Sequence, residues 1–397
     1  MNDEDLSFYR QEIDDLDRSI VELILRRARF AHQIGQYKLS RSETIYRPDR
    51  EKEVYLNIKS IAERIYQSKD YQEIPSKKRF PEKALAAIYR ELMSGTVYME
   101  GGPTVAFMGP EGSFSHLATI ERFGSSVKTV AVSTIKDVFR MVSIGEEAEF
   151  GLVPVDNTTG GSVVPTMDAF LDSASIDTSL TDLSTTLDSA KPTGLQIYAE
   201  HFTRVEQHLL YHRDVELAEI KRIYTIRIGQ DQCRDWLSNN LNLNQIEFIE
   251  TNSTAAAARM AAERKDGAAI ASSFAESLYG LVAIARNIED SINNITRFWV
   301  IGQEQCSPTG DDRTSIIVGV DDRPGSLFSI LEPFHKAGIN LTRIESRITR
   351  RNYGEYNFYI DFQGHRLTPK VHKILATLQK RSSFLKILGS YPAAHPL

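Results

Sequence analysis

The feature that most limits what this chain can fold into is a double change of hydrophobic period along its length. From residue 6 to about 100, apolar residues recur three and four apart and glycine is almost absent. From 104 to 303, short β-branched runs alternate with helical segments, and from 311 to 364 the order is strand, helix, strand, strand. A helical and a two-residue period cannot share one element, so the chain needs several cores. Gly and Pro cluster at EGGP (100–103) and SPTGDD (307–312), the expected joints. The expected domains are 1–101, all helical; 104–303, α/β; and 311–390, α+β. A chain of 397 residues is long enough for a core in each.

Charge narrows the partners. Lys and Arg number 47 against 53 Asp and Glu, a net −6, which leaves no basic footprint for nucleic acid or an anionic membrane. Small molecules are the expected partners. The two cysteines, Cys233 and Cys306, lack metal-ligand spacing, so neither a disulfide framework nor a metal site is expected, and a reducing cytoplasm suits them. The N-terminus MNDEDLSFYRQ is acidic where a signal peptide is basic, and no apolar run reaches the ~20 residues of a membrane span. Residues 172–194, rich in Ser, Thr and Asp, read as a long mobile loop or insertion.

In the helical block Ile13, Leu16, Ile20, Leu23, Phe30 and Ile34 mark the seam of one helix. The same spacing continued from Leu23 lands on Arg27. A guanidinium on a buried seam needs an anionic partner. Arg10 and Lys38 lie one position beyond the seam residues Tyr9 and Tyr37, so three cations line one face. These cations either pair with neighbouring carboxylates and snorkel to solvent, or await an anionic ligand. In YRPDREKEV (46–54), Pro48 can open a helix with Arg50 and Glu51 in its first turn.

This set, an Arg, a second Arg 17 on, a Lys 11 further and then an Arg-Glu pair, resembles the all-helical chorismate mutase family. The resemblance implies that Arg10, Arg27 and Arg50 hold the substrate carboxylates, Lys38 faces the ether oxygen and Glu51 binds the hydroxyl. Thr96 and Glu100, four apart near the block's end, would supply the polar group at the ether oxygen, with Glu100 protonated and its pKa raised. Where relatives often carry an acid before Pro48, this chain has Tyr46 and Arg47. The family's intertwined dimer, in which a long helix is exchanged between two chains, implies that Arg10 serves the partner's pocket.

In the middle block TVAFMGPEGSFSHLATIERF (104–123) reads as strand, turn and helix, with Ser113 near the helix start. The same grammar puts Asp156, Asn157 and Thr158 after one strand, Thr225 and Gln232 around another helix start, and Ser253 and Thr254 before an Ala-rich helix. Each hydroxyl either caps its helix or contacts a ligand. Together the repeats imply a mostly parallel sheet with ligand sites at the strands' carboxyl ends. NNITRFWVIG (293–302), with GPEGSFSHLAT, VPVDNT, NSTAAAA and ESLYGL in order, resembles the prephenate dehydratases. That family's two-subdomain fold, like a periplasmic binding protein with a cleft, is then expected. By this resemblance Thr296 is the donor at the leaving hydroxyl. Ser113, Asp156, Asn157, Thr158, Thr225, Gln232, Ser253, Thr254, Arg297 and Phe298 would line the substrate, Arg297 on a carboxylate. Two departures, Asp156 for the family's Glu and Thr225-Ile226-Arg227-Ile228 for its Ser-His-Pro-Gln, leave open a prephenate decarboxylase or an arogenate dehydratase.

The last block is a small α+β sandwich expected to leave a sheet face open and so to pair with a copy of itself. DDRPGSL, GINLTRIESR and FYIDFQGH resemble ACT regulatory domains. The resemblance implies phenylalanine binding between two copies at Gly325, Ser326, Leu327, Asn340, Glu345, Ser346 and Arg347, with Ile348 where relatives have Pro. The three resemblances together imply a bifunctional mutase and dehydratase of phenylalanine biosynthesis, a homodimer or dimer of dimers, acting on chorismate and prephenate without metal, nucleotide or flavin. A phenylalanine-binding regulator with decayed catalytic clefts is the alternative of another class.

Overall fold

The computed structural model describes residues 3–41, 43–69, 71, 73–172, 194–214, 220–348 and 356–394. The loop reading of 172–194 therefore falls almost wholly outside the described residues. The chain divides into two compact units. The first holds Met1–Arg47, Glu53–Pro103 and Phe123–Lys128; the second holds Pro48–Lys52, Thr104–Arg122 and Thr129–Leu397.

The first unit carries α1 (Asp3–Ser40), all of α2 (Pro48–Tyr66) beyond its first turn, and α3 (Glu82–Met99). With 38 residues α1 is roughly 57 Å long at 1.5 Å per residue. As expected, α2 opens on Pro48, with Asp49 and Glu51 in its first turn. The seam of α1 is largely uncovered: Leu16, Leu23 and Ile34 are 61%, 62% and 57% exposed.

In the second unit the chain first lays down β1 (Thr104–Met108), α4 (Phe114–Phe123), β2 (Lys128–Val132), α5 (Ile135–Ile144), β3 (Phe150–Asn157), β4 (Gly161–Ser162), α6 (Val164–Asp172) and β5 (Gln196–Arg204). A second lobe follows with β6 (His208–Tyr211), β7 (Arg222–Thr225), α7 (Arg227–Gln232), α8 (Arg234–Asn240), β8 (Glu247–Glu250), α9 (Thr254–Arg264), β9 (Ala268–Ala271), α10 (Ser273–Tyr279) and β10 (Val282–Ala285). Strand β11 (Ile295–Gly302) then returns to the first lobe. The first sheet runs β2-β1-β3-β11-β5 with β4 on β3, and the second runs β10-β6-β9-β7-β8.

The expectation of a mostly parallel sheet needs correction. There are two mixed sheets, because the chain crosses between lobes along β5 and β11, and β11 enters antiparallel to both β3 and β5. That reversal sets the start of β11 beside the carboxyl end of β3.

The C-terminal module consists of β12 (Asp312–Val320), α11 (Ser326–Ala337), β13 (Leu341–Ile348), β14 (Tyr356–Gln363), α12 (Pro369–Arg381) and β15 (Phe384–Pro392), with sheet order β13-β14-β12-β15. One face of this sheet packs Ile316, Val318 and Ile360 under Ile330, Phe334, Ile374 and Leu378 of the two helices. The other face is not left open, contrary to expectation: Ile317, Tyr359, Leu388 and Tyr391 share one core with Ile197, Trp299 and Phe170 of the first lobe. The period of two along β12 serves both faces, so Ile316 and Ile317 go to different cores.

Candidate active sites

The main polar cluster of the second unit is built around one strand pair. Thr296, the second residue of β11, pairs directly with Asn157 at the end of β3. The Asn157 amide donates from Nδ2 to Thr296 Oγ1 at 2.9 Å and to Asn294 Oδ1 at 2.8 Å. Its Oδ1 accepts from the Thr159 N–H at 2.9 Å, the Thr159 hydroxyl at 2.6 Å and the Gly160 N–H at 2.7 Å. Asn157 therefore locks a tight turn while feeding a hydrogen bond into Thr296. Because the Thr296 oxygen accepts that bond, its own proton is left for another acceptor. From the second lobe, Gln232 donates to Thr159 Oγ1 at 3.0 Å, and Gln207 donates to Gln232 Oε1 at 3.2 Å. Thr296, Asn157 and Gln232 are thus brought to one polar ring, with Thr159, Gln207 and Asn294 as unforeseen members.

The other hydroxyls mostly hold the frame. Thr158 donates to the Asn293 carbonyl at 2.5 Å and accepts from the Ile295 N–H at 3.0 Å, tying the two loops together. Thr225 is buried and donates to the Ile226 carbonyl at 3.2 Å. Ser113 donates to the Met108 carbonyl and accepts from the His116 N–H, both at 3.3 Å. Ser253 caps α9 by accepting from the Ala256 N–H, and Thr254 is buried behind it. For Ser113 and Ser253 the capping reading describes what the hydroxyl does.

Three expected substrate contacts are corrected, Asp156 and Arg297 by the alternation of strand side chains and Phe298 by its burial after a register shift in β11. Asp156 and Arg297 neighbour Asn157 and Thr296 in sequence and pair with each other in register, so they face away from the ring. Arg297 is 5% exposed and every guanidinium nitrogen is engaged. Nε donates to Glu200 at 2.9 Å, Nη1 to Asp361 at 2.6 Å and Nη2 to the Tyr391 hydroxyl at 3.1 Å. Burial alone would lower its pKa, but these anionic partners hold it well above the ordinary value. Nothing is left for a substrate carboxylate. Asp156 lies 3.7 Å from Arg297 and 3.6 Å from Arg343, and burial raises its pKa against the pull of both cations. Phe298 is packed in the interior.

In the first unit, α1 and α3 touch where the Lys38 end of α1 passes Glu100. A Cβ at Gly35 would stand 2.4 Å from the Glu100 side chain, so only glycine admits this approach. Glu100 is buried, and desolvation raises its pKa although Lys38, His32 and Arg27 pull it down. The raised direction is as expected. Lys38 donates to the Ile45 carbonyl at 3.0 Å. Arg27 Nη1 is buried without a hydrogen-bond partner, a costly state that an anionic ligand would relieve. Thr96 is corrected as a donor: its hydroxyl turns back to the Met93 and Leu92 carbonyls at 2.9 and 3.1 Å. In the second unit, the first turn of α2 leaves Arg50 exposed, while Glu51 pairs with Arg122 at 2.7 Å, a partner not foreseen. Arg10 is exposed on α1, 17 residues and therefore about 25 Å along the helix from Arg27.

In the C-terminal module Gly325 takes a left-handed conformation (φ 86°) at the start of α11, and Leu327 and Asn340 are exposed. Glu345 and Arg347 alternate with Ser346 along β13 and face the first lobe. Glu345 bonds Ser162 and Arg343, and Arg347 lies 3.6 Å from Asp168. Ser346 is on the exposed side, so the Glu-Ser-Arg run does not present one common face to an effector.

Models of three families match the chain in order: chorismate mutase type II over residues 9–101, prephenate dehydratase over 105–306 and the ACT domain over 314–378. A bifunctional chorismate mutase/prephenate dehydratase of Aquifex aeolicus is 38% identical over 98% of this chain and 99% of its own. The chain belongs to this bifunctional family. A prephenate dehydratase of Arthrobacter aurescens, solved in complex with L-Phe, is 30% identical with a TM-score of 0.63, covering 74% of this chain and 92% of that one. A structure described as GqqA, a novel type of quorum quenching acylase, is also 30% identical, with a TM-score of 0.61 over 73% of this chain and 98% of its own.

Within the bifunctional frame, Thr159 and Asn294 flank motif residues the sequence had already singled out, and an Asx-turn reading of Asn-Thr-Thr-Gly-Gly was the available signal. Gln207 and Arg343 carried no such signal, because Gln207 arrives on the connection between β5 and β6 and Arg343 on β13, each from another part of the fold.

Proposed function

We propose that this chain rearranges chorismate to prephenate, converts prephenate to phenylpyruvate, and is inhibited by phenylalanine. The observation that carries the second step is the Asn157 hydrogen bond into Thr296 Oγ1. In that step the bond from the ring to its carboxylate breaks and its electron pair enters the ring, which aromatises as the C–O bond of the ring hydroxyl breaks. Carbon dioxide and hydroxide depart, and one proton taken up overall turns hydroxide into water. Thr296 is too weak an acid to surrender its proton, so it acts as a hydrogen-bond donor to the developing hydroxide. The bond from Asn157 strengthens that donor by polarising its oxygen.

The mutase step needs no nucleophile or base, only a compact conformer held by cations and a donor at the breaking ether. Arg27 and Lys38 supply charge, and Glu100 donates when protonated. Its burial favours the neutral acid. The protonated form is complete below the raised pKa and is lost as pH rises through it. Mutase kcat is therefore expected to fall with rising pH, and the Glu100→Gln variant to show a flat profile over the same range. A flat profile in the unaltered chain removes Glu100 from the site.

Asp156 faces away from Thr296, so its departure from the family's Glu is no argument for a different fate of prephenate. Chorismate supplied to the protein and followed by NMR is expected to give phenylpyruvate. Accumulated prephenate or a non-aromatic keto acid would overturn the second half of the reading.

A second copy of the chain is the expected partner. Arg10 is too far along α1 to reach the Arg27 pocket of its own chain, and the exposed apolar stripe of α1 suits an exchanged helix. The effector reading is supported by the exposed Gly325 to Leu327 turn and Asn340, and by the L-Phe complex of the Arthrobacter relative. Two free, buried cysteines suit the cytoplasm. Among the described residues no helix is long and apolar enough to cross a membrane, and no group of three or more His, Cys, Asp or Glu is placed to hold a metal.

A further inference from the structure

The hairpin from Asp156 to Ser162 has two working faces. On one, Asn157 and Thr159 belong to the polar ring around Thr296. On the other, the C-terminal module grips it. Arg343 lies 3.6 Å from Asp156, donates to Ser162 Oγ at 3.1 Å and bonds Glu345 at 2.5 Å, and Glu345 itself bonds Ser162. The neighbouring strand is held the same way, with Asp361 of β14 on Arg297 at 2.6 Å. In register, Asp156 pairs with Arg297 and with Ser162, and Asn157 pairs with Thr296. The backbone that orients the donor pair is therefore pinned from behind by two side chains of the C-terminal sheet, the half-buried Arg343 and the buried Asp361, whose loss leaves Arg297 short of a compensating charge.

We propose that Arg343 and Asp361 are positioning residues for the dehydratase reaction, setting the Asn157–Thr296 geometry through Asp156, Ser162 and Arg297, and that an effector on the C-terminal module acts by shifting them. This rests on reading Thr296 as the dehydratase donor. Arg343 and Glu345 lie on β13, which begins directly after Asn340, one of the exposed residues proposed to take phenylalanine. Movement of that strand reaches the hairpin without any link through the second lobe.

The test uses the full chain with Arg343→Gln and Arg343→Lys. Arg343→Gln is expected to lower kcat for phenylpyruvate formation about two- to thirty-fold, the range of a coupling interaction, with KM changed less than about twofold. Mutase turnover on the same molecule stays unchanged, and Arg343→Lys recovers part of the loss. Calorimetry is expected to find phenylalanine still bound to Arg343→Gln while its maximal inhibition drops. Amide hydrogen exchange of 157–162, read without turnover, is expected to quicken.

An unchanged kcat with unchanged exchange overturns the positioning role. A parallel fall of both activities with a lowered Tm reduces the contact to general stability and overturns it too. Inhibition of normal depth in Arg343→Gln overturns the effector route. A protein that forms no phenylpyruvate at all defeats the functional reading alone, and the exchange experiment still decides whether the hairpin is held by Arg343.

Discussion

Replacing Thr296 with Val is expected to lower phenylpyruvate formation about 10²- to 10³-fold, the scale of losing one donor to a developing anion, while mutase turnover stays at its original level. The size follows from the geometry. Thr296 receives a hydrogen bond from Asn157 and keeps its own proton for the departing hydroxyl, and Val keeps the branched shape while removing that proton. Ser restores the hydroxyl and is expected to recover most of the rate. Rapid-mix kinetics on prephenate, with chorismate consumption as the internal control, checks both. Retention of more than a tenth of the kcat by Thr296→Val would mean that another group meets the leaving hydroxyl.

Arg27→Met should have an effect of similar size on the other reaction, lowering mutase turnover about 10²- to 10³-fold with dehydration of added prephenate intact. Its second signature is stability. Nη1 of Arg27 is buried without a hydrogen-bond partner, a state that costs about 1–3 kcal/mol, so an apolar side chain of similar length should keep or raise the Tm of the ligand-free protein. Loss of activity with gain of stability marks a residue retained for its ligand. A lowered Tm would instead assign Arg27 to the frame.

Mixing separates the intertwined arrangement from a self-contained one. Arg10→Ala and Arg27→Ala chains, each inactive as a mutase, should regain turnover after joint refolding, because one pocket of the mixed dimer takes Arg27 from one chain and Arg10 from the other. No recovery would exclude an exchanged helix.

Much of this was legible in the chain itself. Pro48 opens α2 as its place before Arg50 and Glu51 implies, because helix starts and caps are decided within a few residues. Thr296 and Asn157 were legible as neighbours of strand ends, since turn-forming Asn and Thr next to β-branched runs state where a strand begins or stops.

Local chemistry along the chain sets the kind of each element and the residue types at its ends. It could not determine which face of a strand meets which neighbour. Asp156 and Arg297, one residue from Asn157 and Thr296, looked equally available to the substrate, yet register turns them to the opposite side, where Glu200 and Asp361 take up the charge of Arg297 and Arg343 stands beside Asp156. Likewise the second face of the C-terminal sheet found its cover in Trp299 and Phe170 of the same chain. Both outcomes depend on long-range strand pairing and sheet packing between residues far apart in sequence, and only the tertiary structure decides those.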